Sequence, residues 1–345
     1  MPALAYGTGA YRRNSLGLPE LRVRNLYVER TPVTGEQPVL VGRPALDELR
    51  AEAGASMRGV FQWDGVLGGG LLSFGDGVRL NGSLIGAVGG SDRVRAAAGE
   101  GEALAVAGGV VYRVTATAAT PVAFPDGAAV ADVDFLRGRF VLVRRDTGQF
   151  YWSDILDGQT IDGLSYATAE KQADPLVACR VVGDEVWNFG TDTVEPWGPN
   201  NDPDLPYAPT PGRMYQAGCA ARDTVVALDN TAYWVSDKLE VVRGGPQVAE
   251  TVSTPSIAER LASVSSDRLS AGGFSWRNHA FYVLRIEGVG SAVYDITTGE
   301  WAEWDSFGRP EWDAHVFQQV GAEVYAGSAR DGTLWRLSDT VSTDA

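Results

Sequence analysis

The strongest constraint in this 345-residue chain is a pattern that returns about every 40 residues. Each copy is an apolar run, a turn, then an apolar-aromatic run that ends in polar residues. "DFLRGRFVLVRRDTGQFYWSDI" (134–155) is the clearest copy. The second runs begin at Val78 ("VRLNG"), Val111 ("VYRV"), Tyr151 ("YWSDI"), Val194 ("VEPW"), Tyr233 ("YWVSD"), Val293 ("VYDI") and Leu334 ("LWRLSD"), in steps of 33, 40, 43, 39, 60 and 41 residues. The intervening turns, Gly-Asp-Gly, Asp-Thr-Gly, Asp-Asn and Asp-Gly among them, consist of residues that tolerate tight hairpin geometry.

Further short strand-like runs, such as "RGVFQW" (58–63) and "GSLIGAV" (82–88), flank the repeated pairs. Several short strands per 40-residue unit are what a β-propeller requires, because each blade is one antiparallel sheet. A blade cannot bury both of its faces alone, so blades pack in a ring. The alternative is an irregular β-sandwich, which does not usually sustain seven similar units. The sequence therefore predicts an all-β chain: a propeller of seven blades over residues 51–345, or six should two short N-terminal units merge. Residues 1–50 form an N-terminal arm, and "LRVRNLYVE" (21–29) is expected to seal the ring by pairing beside the last unit, leaving no free edge. Phe140, Trp152, Val186, Trp187, Val226, Tyr233, Tyr282, Val283, Tyr294, Val324 and Trp335 are expected in the core.

Two stretches interrupt the period. Within the 60-residue step, "STPSIAERLASVSSDRLSAGG" (253–273) carries Ile257, Leu261 and Val264 at helical spacing and predicts a helical insertion over 255–270. "EPWGPNNDPDLPYAPTPGR" (195–213) holds six prolines and reads as an exposed loop, neither helix nor central strand. Neither has an evident role in a core, so both are expected to contact other subunits or partner proteins.

The net charge is −15. Residues 1–30 hold five arginines (Arg12, Arg13, Arg22, Arg24, Arg30) against Glu20 and Glu29, a local +3 that leaves −18 for the rest. A body this acidic repels nucleic acid rather than gripping it. Cys179 and Cys219 are the two cysteines, so no disulfide framework exists and assembly inside a reducing cytoplasm is expected. They lie one period apart, which suggests equivalent positions in neighbouring blades. No apolar run approaches the ~18 residues of a membrane span, so no membrane insertion is expected.

Motifs for chemistry are sparse. His279 ("WRNHAFYV") and His315 ("WDAHVFQQ") begin apolar strand runs with no second ligand nearby, and read as satisfied strand histidines rather than metal ligands. Asp192, Asp202 and Asp204 lack the alternating spacing of a calcium loop. "GVLGGGLLS" (65–73) has no lysine to complete a phosphate cradle, and "GCAAR" around Cys219 has no nucleophile signature. The sequence assigns no catalytic, cofactor-binding or metal-ligating residue, and no cofactor. Propellers also host glycosidases with paired carboxylates, so a carbohydrate-acting enzyme or binding module is the alternative.

Three segments, "SMRGVFQWDGVLGGGLLSFGDGVRLNG" (56–82), "DFLRGRFVLVRRDTGQFYWSDI" (134–155) and "EVWNFGTDTVEPW" (185–197), point to a family. With them come the arm "RNLYVERTP" (24–32), then "LVGRPAL" (40–46), a short helix near 256–270, "AVYDITTGEWAEW" (292–304) and a closing "GTLWRL" (332–337). In this order they resemble the packaged-DNA stabilisation proteins, or tail hubs, of short-tailed bacteriophages. The resemblance implies a non-enzymatic virion protein of the tail, assembled in the host cytoplasm as a sixfold ring. That ring lies below the portal and adaptor proteins and retains the packaged genome. DNA passes through it without specific binding, and tail fibre, spike or needle proteins attach to it. An acidic lumen would serve that passage by repulsion, while the basic arm meets acidic neighbours. Longer members of that family continue past the propeller.

Overall fold

The computed structural model describes residues 22–30, 38–52, 56–63, 70–169 and 174–340. Seven four-stranded antiparallel sheets follow one another round a closed ring. From axis to rim, blade 1 runs from Gly59–Trp63 to Ser83–Gly86 and blade 2 from Arg95–Ala98 to Ala119–Val122. Blade 3 runs from Val130–Leu136 to Tyr166–Thr168, and blade 4 from Leu176–Val182 to Tyr207–Pro209. Blade 5 spans Val226–Leu228 to Ala249–Thr251, and blade 6 Leu269–Trp276 to Glu300–Trp304. Blade 7 starts at Ala314–Val320 and takes its rim strand, Ala45–Glu52, from near the N-terminus.

The turn chemistry explains the regular blades. The pairs Arg137–Gly138, Asp229–Asn230 and Arg277–Asn278 have positive φ at both positions, the geometry whose twist matches two flanking strands. Between blades the apolar faces meet. Val141, Phe150 and Trp152 of blade 3 share a core cluster with Val186 and Trp197 of blade 4. Tyr233 and Val235 of blade 5 likewise meet Tyr282 and Leu284 of blade 6. Each sheet thus buries both faces, which is why the unit repeats. Of the expected core residues only Val226 is not buried. Its neighbour Val225 packs in the core at 1% exposure, and the one-residue offset turns Val226 toward the axial cavity.

Three expectations need correction. Ring closure uses Ala45–Glu52, not 21–29. Within the earlier stretch Asn25 N donates to Glu303 O and Glu303 N donates to Val23 O, so the arm extends the rim of blade 6. Leu26–Glu29 then pairs with Val39–Gly42 as a separate hairpin. That hairpin is held where Tyr27 packs edge-on to His279 and Phe281. The two short strands cannot reach the last sheet because residues 45–52 already occupy its edge.

The helix is shorter than expected. It spans Pro255–Ala262 and is followed by a 3-10 turn, Ser266–Arg268, before blade 6 begins at Leu269. Ser and Asp in "SVSSDR" favour turns over a helix interior. Ile257 and Leu261 are buried against the blade 5–blade 6 core, so this segment has a packing role of its own.

The proline stretch is part strand and part loop. Val194–Pro199 lies between Glu185–Gly190 and Tyr207–Pro209. Thr210 N donates to Pro196 O, so the nitrogen of Pro196 faces the rim strand and the missing N–H loses no bond to the inner ladder. Residues 200–206 form a loop, with Asp202 and Asp204 exposed, and 210–213 form a turn closed by Arg213 N donating to Thr210 O.

Candidate functional site

The innermost strands of a propeller are edges, and their axis-facing carbonyls have no ladder partner. Here arginines supply the missing donors. Arg93, two residues before the inner strand of blade 2, reaches across the axis. Its Nη1 donates to Ala271 O (2.7 Å) and Asp223 O (3.3 Å), and its Nη2 to His315 O (2.9 Å). One guanidinium therefore ties blade 2 to blades 5, 6 and 7. Arg222, in a 3-10 turn leading into blade 5, donates to Ala131 O and Arg93 O, both at 2.8 Å. Ala131 and His315 each sit at a register shift in their inner strands, and such a bulge frees a carbonyl for this contact.

Carboxylates interleave with the arginines. Arg180 pairs with Asp132 (3.1 Å) and Asp134 (3.4 Å). Arg222 pairs with Asp223 (3.0 Å) and Asp92 (3.6 Å), and Arg58 with Asp92 (3.5 Å). Arg95 lies 3.4 Å from Asp223 and 4.0 Å from Asp132. Burial, with Arg95 beside it, pulls Arg93 down to about 9. Burial and the Arg180 charge also lower Arg95. For Arg180 burial opposes the charge, but Asp132 and Asp134 prevail and raise its pKa. Burial raises Asp134 despite Arg180.

This cluster escaped the sequence reading, which saw an acidic body. The available signal was positional: Arg58, Arg93, Arg95 and Arg222 all fall at or just before the first strand of a unit. That pattern acquires meaning only once those strand starts are known to converge on an axis.

The histidines are satisfied by hydrogen bonds. His279 is 4% exposed, with Nδ1 2.7 Å from Asp295 Oδ2 and Nε2 3.0 Å from Glu29 Oε2, so it fastens the arm hairpin to blade 6. His315 Nε2 lies 2.6 Å from Met57 O, joining blade 7 to the start of blade 1. Burial, aided by Arg93, depresses its pKa to about 3, so the ring is neutral and donates to that carbonyl. Cys179 and Cys219 are buried free thiols, both raised by burial, Cys219 to about 12. They are not equivalent: Cys179 lies within the inner strand of blade 4, whereas Cys219 precedes that of blade 5. Asp192 is exposed, and its N–H donates to Asp174. Among the described residues no group of three or more His, Cys, Asp or Glu could hold a metal ion, and no helix is long and apolar enough to cross a membrane.

Exposed apolar side chains mark other surfaces. Phe307 is fully exposed at a turn between blades 6 and 7, closed by Arg309 N donating to Ser306 O. Ile155, Leu156 and Leu164 are exposed along the 153–165 loop of blade 3.

Comparisons with known proteins agree with this architecture. A family model described as "Bacteriophage P22 Gp10, beta-propeller" matches residues 4–342. A comparison with curated proteins gave no match. Among solved structures, YCF48 from Cyanidioschyzon merolae is similar at 11% identity and a TM-score of 0.55, covering 86% of this chain and 100% of its own. The computationally designed Ika8 protein is similar at 13% identity and a TM-score of 0.51, with the same coverage. At such identities these two speak for the fold alone.

Proposed function

The chain belongs to the phage stabilisation family of the bacteriophage P22 Gp10 β-propeller, and on that premise we propose that this bacteriophage structural protein is a tail hub. Six copies form a ring beneath the portal and adaptor, hold the packaged genome, pass it at ejection, and seat the tail appendages. The role is non-enzymatic and the site of action is the virion tail.

The observation that carries this reading is the family match over nearly the whole chain. The physical chemistry supports it. A closed propeller leaves only short, protected sheet edges and offers loops on two faces for neighbours. Arg93 and Arg222 cross the propeller's own axis, so a duplex has no path there. The DNA path must be the lumen between subunits, and a chain of net charge −15 lines it without binding.

A cryo-EM reconstruction of the virion tests the proposal. The expected result is six copies around the tail axis, with Asp and Glu side chains toward the DNA. A monomeric protein with hydrolase activity, absent from purified particles, overturns it.

A further inference from the structure

The arginine cluster forms one end of a cavity. Some 340 Å³ of space runs along the inner strands of blades 1, 5, 6 and 7, lined by Arg93, Arg95 and Arg180 at the end where those strands begin. Five arginines meet four carboxylates there: Arg58, Arg93, Arg95, Arg180 and Arg222 against Asp92, Asp132, Asp134 and Asp223. The surplus charge has an address. Arg93 donates to three backbone carbonyls and, among the described residues, pairs with no carboxylate. Asp223, the nearest acid, already pairs with Arg222 and Arg95.

Donors are also left over. A guanidinium carries five N–H groups, and three of those on Arg93 are used, leaving Nε–H and one Nη2 hydrogen. Arg95 is 8% exposed, and its buried Nε, 3.4 Å from Asp223 Oδ1, is ion-paired there without an aligned hydrogen bond. The polar side chains further along the cavity are already engaged: Gln318 donates to Gln319 O, and Gln319 donates to Gly321 O while accepting from Ser275 N. A buried cation without a counter-charge is costly, and an anion with several acceptor oxygens relieves the cost while taking up the free donors.

We propose that the axial cavity is a binding site for a compact multivalent oxyanion of the phosphate or sulfate kind, held by Arg93 and Arg95. The site lies within a single chain and does not depend on the hub reading, so a monomer is enough to test it.

The test is thermal melting of the full chain at pH 7 in inorganic phosphate against sodium chloride of equal ionic strength. Phosphate at tenfold excess over its Kd is expected to raise Tm by about 2–4 °C, saturably. The rise should disappear in Arg93→Met and persist in Arg137→Met, whose surface arginine pairs with Asp184. Should Arg93→Met not fold, crystals of the native chain grown with selenate decide the matter: an anomalous peak beside Arg93 and Arg95 is expected. Equal melting in both salts, or selenate found only elsewhere, overturns the proposal.

Discussion

Leu46 and Leu337 lie directly opposite each other in the last blade, both buried, although they come from opposite ends of the chain. The same seam carries an ion pair between Arg336 and Asp47 (3.2 Å). Sealing the ring this way supplies the fourth strand of the last blade from the other end of the chain and ties the two ends together. Replacing Leu46 with Ala should cost about 2–5 kcal/mol, the range for a large-to-small change in a packed core. Denaturant unfolding measures it. A chain beginning at residue 44 should keep a cooperative transition, whereas one beginning at 53 should lose it. Equal behaviour of the two would refute the seam.

Trp335 stands opposite Ala326 and Glu48 and is 5% exposed in the blade 6–blade 7 core. Its replacement by Ala should cost about 3–5 kcal/mol. An unchanged melting temperature would mean that the last blade does not carry its share of the ring's stability.

His315 makes stability pH-dependent with a defined sign. Its folded pKa is about 3, below the ordinary 6.5. Between those values the unfolded chain binds the proton and the native chain does not, so stability rises with pH across the window and is lost as pH falls. The slope is at most about 1.4 kcal/mol per pH unit. His315→Gln should flatten the curve between pH 3 and 6.5 relative to wild type. Parallel curves for the two proteins would show that the imidazole is not held neutral.

Phe307 contributes nothing to the core, being fully exposed. Phe307→Ser should leave Tm within experimental error, as surface changes usually do, yet reduce incorporation into particles. Replacing Asp202, Asp204 and Leu205 in the 200–206 loop should behave likewise, because the flanking strands stay intact. Normal particle composition in both variants would remove these surfaces from the list of contacts. The helix Pro255–Ala262 is a different case: with Ile257 and Leu261 buried, its deletion should unfold the blade 5–blade 6 junction rather than merely block assembly.

Much of the architecture was readable in advance because its causes are local. Period-2 apolar alternation and paired left-handed turn residues act over five to ten positions, and seven repetitions leave little choice but a ring. What misled the reading was also local. Six prolines look incompatible with a strand until it is known that the nitrogen of Pro196 faces the rim. The basic segment 21–29 looks like a closing strand until residues 45–52 are found in that place.

The sequence by itself determined the all-β class, the seven-blade repeat and the buried aromatic faces, because alternation and turn preference are properties of neighbouring residues. Only the tertiary structure decided which N-terminal strand closes the ring, and that five arginines meet four aspartates at the axis. The contacts that draw the cluster together join positions more than a hundred residues apart, as Arg95 and Asp223, Arg222 and Asp92, and Arg93 and His315 do. The charge of a chain is a sum, but the field at a site depends on distance. An overall −15 therefore conceals a positive centre.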